Sequence, residues 1–204
     1  MRLKQVRLFL AVTFLVLLSL AACNVDNDEQ HRDDGHKKNE ETRKAEETTA
    51  TIDEAAKEVF VSLKNQSQQI VATATLTENN DGVQIKLKGE KLPPGKHGFH
   101  IHETGSCEAP DFSSAGGHYN PNHAKHGKKI SGGPHAGDLP NIEVNQDGTV
   151  QTEVIANLVT LEQGESHSLF KKGGTALVIH AKEDDYKSQP AGNAGERIAC
   201  GEIE

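Results

Sequence analysis

From about residue 56 the chain takes up a period of two and holds it almost to its end. The stretches EVFVSLKN, QIVATATLTE, GVQIKLKGE, HGFHIHE, NIEVNQDG, GTVQTEVIA, TALVIHAKE and RIACGEI are short, and several alternate apolar with polar side chains. That is the pattern of strands. The NNDG turn at 79–82 and Asp147-Gly148 fall between such stretches as hairpin signals. No amphipathic helix competes with them. Eight short strands with Gly-rich turns predict an all-β domain over 53–204, an eight-stranded antiparallel Greek-key barrel or sandwich. Two long segments, 104–140 and 183–196, resist the pattern and are expected to be functional loops. Each begins beside a histidine on a strand.

The first 52 residues read differently. MRLKQVR carries three positive charges and no negative one, and the 15 residues of LFLAVTFLVLLSLAA that follow are largely apolar. This is a signal peptide over 1–22, short for a membrane span of about 20 residues. It ends in LAAC, with small residues directly before Cys23. That ending is similar to the lipobox of bacterial lipoproteins. The resemblance implies cleavage before Cys23, lipidation of its thiol, and an exported protein anchored by lipid to the outer face of the bacterial cell membrane. Residues 24–52 contain no aromatic residue and few large apolar ones, too little to offset the entropy of ordering. They read as a flexible charged tether behind the lipidated Cys23.

The chain has 22 Lys and Arg against 30 Asp and Glu, a formal net charge of −8. Loss of Arg2, Lys4 and Arg7 with the signal makes it more negative still. Such a balance argues against nucleic acid as a partner. Of the three cysteines, lipidation of Cys23 leaves Cys107 and Cys200 to pair, in a compartment where a disulfide persists. The closed loop would span roughly 90 residues, worth about 4 to 5 kcal/mol in the chain-entropy account.

Histidine is the residue in surplus, with 11 in the chain and seven of them from His97 to His135. In an extended strand residues i and i+2 face the same way, so His100 and His102 present two imidazoles on one face. His180 ends another strand, and the first long loop offers His118, His126, His135 and Asp138. Three neutral imidazoles and a carboxylate make a tetrahedral zinc set; imidazole also suits copper. His97 reads as a local hydrogen-bonding residue, and His123 and His167 as surface residues.

The segments GFHIH, SAGGHYNP, KHG, GPHAGDLPN, LVIHAKEDD and GNAGERIACG resemble the successive signatures of copper/zinc superoxide dismutases. DDYKSQPAGNAGERIACG is similar to the bacterial form in particular. The resemblance covers about residues 56–204 and implies the eight-stranded Greek-key barrel, a fold grouped with the sandwiches. By position it implies copper ligands at His100, His102, His118 and His180, and zinc ligands at His118, His126, His135 and Asp138. It also implies a Cys107–Cys200 disulfide and an active-site arginine at Arg197. Asp184 falls on the aspartate that joins His100 to His126, an outer partner that sets ligand orientation.

The activity so implied is dismutation of superoxide to dioxygen and hydrogen peroxide, with copper and zinc as cofactors, one of each per subunit. Zinc is redox-silent, so the electron chemistry falls to copper. His118, as an imidazolate, would bridge the two ions and act in catalysis, and Arg197 would orient the anion. A negative globule can still carry a local positive funnel, as superoxide dismutases themselves illustrate. Lys182 and Lys187 are candidates for it, although solvation alone accounts for them. The alternative is a zinc-stabilised or copper-buffering relative without significant activity. Monomer and homodimer both suit the sequence.

Overall fold

The computed structural model describes residues 58–204. The segments read as a signal peptide at 1–22, as a lipidation site at Cys23 and as a tether to residue 52 lie outside the described residues. Nine strands are present among those described: β1 Glu58–Asn65, β2 Ile70–Asn79, β3 Gly82–Gly89, β4 Gly95–His97, β5 Phe99–His102, β6 Ile142–Val144, β7 Val150–Ala156, β8 Thr175–His180 and β9 Arg197–Ile203. The only helical element among the described residues is a 3-10 turn at Ser113–Ala115.

Seven strands form one antiparallel sheet in the order β5-β8-β9-β1-β2-β3-β7, and β4 pairs with β6 in a second. The β1-β2-β3 meander is flanked by β9 and β7, which return from far along the chain. This is the expected Greek-key connectivity of an all-β domain, and the seven-stranded sheet curls into a half-barrel.

The period of two places the core. Val61 and Leu63, Ala74 and Leu76, Val83, Ile85 and Leu87, and Val154 and Ala156 point inward and are buried. Side chains between them, among them Ser62, Thr73, Lys86, Lys88 and Glu153, line the outer face. Leu63, Leu76, Ile85, Leu87, Phe99, Ile101, Leu177 and Ile179 have no exposed surface; burial of each contributes about 1.5–3 kcal/mol.

Strands β5 and β8 depart from the alternation, being buried at every position. Their register pairs Phe99 with Ile179 and Ile101 with Leu177 on the core face, and His100 with Val178 and His102 with Ala176 on the other. That second face is covered by the long connections 103–141 and 181–196. Phe112, Ala115, Ala176, Val178 and Cys200 form a separate small cluster beneath them.

Two local readings change. The stretch HGFHIHE is two strands, because His97 pairs with Ile142 in one sheet and Phe99 with Ile179 in the other. Gly98 stands at the switch, where a Cβ would lie 2.9 Å from that of Ala194. Asn80-Asp81 makes the expected tight β2–β3 hairpin, with Asn79 paired to Gly82. Asp147-Gly148 also turns the chain, Asn145 N–H donating to Thr149 O at 2.8 Å. It joins strands of different sheets instead of closing a hairpin, since β6 pairs with β4 and β7 with β3.

The Cys107–Cys200 disulfide is formed, with a Cα–Cα distance of 5.6 Å across 93 residues. It fastens the first long loop to β9, three residues beyond Arg197.

Candidate metal centre

The covered face of β5 and β8 supplies His100, His102 and His180. The first long loop returns to β5 twice and brings its ligands with it. Tyr119 N–H donates to Ile101 O at 2.8 Å and Ile101 N–H donates to Gly137 O at 2.9 Å, which sets His118 opposite His102 and Asp138 opposite His100. The second return tolerates no side chain at Gly137, where a Cβ would lie 2.2 Å from Ile101 O.

Two four-residue sets result, His100, His102, His118 and His180, and His118, His126, His135 and Asp138; in each, the potential ligand atoms lie within 4.8 Å of one another. His118 belongs to both. All six imidazoles are buried, so hydrogen bonding decides which nitrogen keeps its proton. His102 Nδ1–H donates to Gly116 O at 3.0 Å and His180 Nδ1–H donates to Gly195 O at 3.2 Å. Each Nε2 is left with a lone pair, and the two lone pairs face each other at 3.3 Å. His100 Nε2–H donates to Asp184 Oδ2 and His126 Nε2–H to Asp184 Oδ1, both at 3.0 Å, turning the two Nδ1 atoms into the sets. His100 Nδ1, His118 Nε2, His126 Nδ1 and His135 Nδ1 are buried without a hydrogen-bond partner among the described residues.

Buried polar atoms left unpaired cost free energy, and converging lone pairs add repulsion. A cation removes both penalties, so the donor sets fit metal ions. In the second set Asp138 Oδ1 lies 2.8, 3.1 and 3.3 Å from the Nδ1 atoms of His118, His126 and His135. Ligands at about 2.0–2.1 Å from a tetrahedral zinc would sit about 3.3 Å apart, so this cluster is near the right size. The first set, all imidazole, suits copper.

Electrostatics agree. Burial, followed by the repulsion of neighbouring histidines and Arg197, holds His102 well below the usual imidazole range. Burial lowers His118 to about 4 despite Asp138, and His180 to about 3. These rings are neutral at pH 7, the form that binds metal. Burial also works against a charge on His126, but the carboxylates of Asp138 and Asp184 outweigh it and raise His126 to about 9. Both aspartates resist burial's upward push and are held below the usual carboxylate range by the histidines they contact.

Arg197 opens β9 opposite His180 in the ladder. Its guanidinium is half-buried and donates to Phe112 O and, at 2.6 Å, to Gly116 O. Gly116 O therefore accepts from both Arg197 and His102. Burial lowers the arginine's pKa from its ordinary value and Asp111 opposes that shift; the group remains a cation.

A sequence profile described as copper/zinc superoxide dismutase (SODC) matches residues 70–203. The chain belongs to this family. Superoxide dismutase [Cu-Zn] 1 of Aquifex aeolicus is 54% identical over 140 residues, covering 68% of this chain and 83% of that protein. A SOD-like protein from Bacillus subtilis superposes with a TM-score of 0.69 at 41% identity, covering 71% of this chain and 97% of the other. Cu/Zn superoxide dismutase from Brucella abortus gives a TM-score of 0.59 at 32% identity, over 72% of this chain and all of the other.

Of the residues expected at the metal centre, the six histidines and Asp138 fall in the two sets, Asp184 bonds His100 and His126, and Arg197 shares Gly116 O with His102. His97 is buried outside both sets, its Nδ1 2.8 Å from His180 O and its Nε2 2.7 Å from Pro93 O, which agrees with a local hydrogen-bonding role. His123 is exposed and His167 contacts Asn122 and Ser166. Lys182 and Lys187 are exposed.

Four contributors had no expected role. Asn141 Nδ2–H donates to Asp184 O and Asp184 N–H donates to Asn141 Oδ1, both at 2.9 Å. Gly192, at φ +65°, packs so closely over Asp184 that a Cβ would lie 1.8 Å from Oδ1. Tyr186 and Gln189 reach the segment carrying His126. All four stand within segments that resemble the family's signatures, but nothing local marks them as supports.

The metal-free domain should respond to acid in a definite direction. His102, His118 and His180 are neutral in the fold below the pH at which an unfolded histidine, pKa about 6.5, takes up a proton. Their contribution to stability is lost as pH falls from about 6.5 towards 4 and 3. His126 has the opposite sign: its contribution is complete below about 6.5 and is lost as pH rises through about 9. Urea midpoints of the metal-free protein should fall steeply on the acid side and less on the alkaline side. A midpoint that rises between pH 6.5 and 4 would mean that the three rings are charged in the fold.

Proposed function

We propose that the protein dismutates superoxide to dioxygen and hydrogen peroxide. His100 Nδ1, His102 Nε2, His118 Nε2 and His180 Nε2 would hold copper; Nδ1 of His118, His126 and His135 with Asp138 Oδ1 would hold zinc. The observation that carries this reading is the membership of His118 in both complete sets, with Nδ1 2.8 Å from Asp138 Oδ1 and Nε2 buried without a hydrogen-bond partner among the described residues. Copper, when bound, supplies the one-electron couple that the reaction needs, while zinc is redox-silent.

The chain's own residues do the remainder. His118 is held at Nδ1 beside Asp138, leaving Nε2 as the atom that could carry a proton for the reduced product whenever copper does not occupy it. Arg197 offers a fixed cation beside His180 and His102, where a small anion can be oriented without reorganising the site. Asp184, through Oδ1 and Oδ2, keeps His126 and His100 in the tautomers that point lone pairs inward.

A copper-buffering or zinc-scaffold protein would need neither Arg197 nor a shared ring, and ligand substitutions separate the readings. His102→Ala should abolish copper-dependent dismutation and leave zinc bound, whereas His118→Ala should damage both sites. Bound zinc stabilises the fold by roughly 4 kcal/mol at a thousandfold excess over its dissociation constant, so His118→Ala should also melt lower in zinc-containing buffer. Metal content, melting temperature and superoxide decay on both variants check this. Full activity in His102→Ala, or native zinc affinity in both, would remove the assignment.

Arg197→Glu reverses the charge met by the anion without touching a ligand. Superoxide decay should slow by at least tenfold at matched copper content. A rate equal to that of the wild type would take Arg197 out of the mechanism.

The proposal extends to the N-terminus, where a signal peptide over 1–22 and lipidation of Cys23 would place the enzyme on the outer face of a bacterial cell membrane. One acyl chain anchors marginally, whereas several hold stably. Cys23→Ser should release active protein from membranes or leave unprocessed precursor. Wild-type protein that incorporates no labelled fatty acid would contradict the lipoprotein reading.

A further inference from the structure

His126 is wholly buried, yet it lies in a stretch of the first long loop with no regular secondary structure. What fixes its backbone comes from the second long loop, 63 residues away. His126 N–H donates to Gln189 Oε1 and Gln189 Nε2–H donates to His126 O, both at 2.9 Å. One side-chain amide thus makes the reciprocal pair of bonds that a neighbouring antiparallel strand would make. Gln189 Nε2 also donates to Lys187 O at 3.0 Å, which fixes the orientation of the amide.

Tyr186 acts on the same segment. Its carbonyl accepts from Lys129 N–H at 3.3 Å and packs so closely on the chain that a Cβ at Gly127 would lie 2.2 Å from it. Its N–H donates to Asp184 Oδ1 at 2.6 Å and its hydroxyl accepts from Asn141 N–H at 2.8 Å. The ammonium groups of Lys128 and Lys129 lie 4.3 and 4.9 Å from the centre of its ring. The backbone of His126 and the carboxylate that orients its ring are therefore held by one short stretch, residues 184–189.

We infer that Gln189 and Tyr186 are positioning residues for His126, and that this stretch is a clamp governing how tightly zinc is retained. The inference rests on the assignment of His118, His126, His135 and Asp138 as the zinc set. Without the clamp, ordering of the His126 segment falls to the metal itself and is subtracted from its binding. Loss of an outer hydrogen-bonding partner commonly weakens metal binding about 10- to 100-fold. Gln189→Leu, which removes both bonds to His126 at similar volume, is expected at about tenfold. Tyr186→Phe, which leaves Asn141 N–H without its acceptor, is expected to have a smaller effect in the same direction.

The test uses the full chain, with zinc dissociation constants from chelator competition, urea midpoints of metal-free and zinc-loaded protein, and the visible spectrum of the cobalt-substituted protein. His126→Ala serves as the reference. Weaker zinc binding in Gln189→Leu, with an altered cobalt spectrum and a loss of stability larger in the zinc-loaded form, supports the clamp. A dissociation constant within twofold of wild type, with both forms destabilised equally, overturns it and leaves Gln189 a structural residue. If His126→Ala also retains wild-type zinc affinity, the zinc assignment itself is wrong. If only His126→Ala loses zinc, the assignment stands and the clamp alone is rejected.

Discussion

Lone pairs that face one another in a buried site repel unless a cation lies between them, and this constraint organises the molecule. The folded chain draws six imidazoles and a carboxylate out of water and fixes four of the rings, through Gly116 O, Gly195 O and Asp184, so that their other nitrogens converge. The cost of assembling such a site must be offset by burial elsewhere in the fold. The hydrophobic face of the half-barrel provides that burial. The clustering of donors on the opposite face of β5 and β8 depends on it.

Much of this was legible in the sequence for one physical reason: strands write their geometry locally. The i, i+2 rule places His100 and His102 on one face with no knowledge of the rest of the chain, and alternation in β1, β3 and β7 gives the inward residues directly. In β8 the alternation disappears because both faces are covered. TALVIH reads as a continuous buried run, and its second face is explained only by the loops that lie over it. The same limit divides HGFHIHE at Gly98: the change of sheet is dictated by Ile142 and Ile179, distant partners that leave no mark in the stretch itself. Asp147-Gly148 carries the turn chemistry correctly, yet turn chemistry does not say which strands pair.

The supports of the site were less legible than its ligands. A ligand set announces itself by residue type and spacing, since few side chains bind metal and loop spans limit their separation. The reciprocal bonds between Gln189 and His126, or between Asn141 and Asp184, use ordinary amides that could bond any backbone. They acquire meaning only when the two long loops are folded against each other. Gly192 is of the same kind, its missing side chain being required by the Asp184 carboxylate eight residues earlier.

The carbonyl of Gly116 accepts both from the ring of His102 and from the guanidinium of Arg197, so one atom fixes the spacing between the ring proposed to hold copper and the cation proposed to meet the anion. Because the atom belongs to the main chain, replacing the residue cannot delete it. Substitutions at position 116 would act through the left-handed backbone, φ +72°, and through contact with Glu103. A survey of side-chain replacements would therefore register this position as a turn glycine and pass over the bond that ties His102 to Arg197. That link is a mutational blind spot, open to study by replacing the amide linkage itself, as with a backbone ester, and closed to conventional substitution.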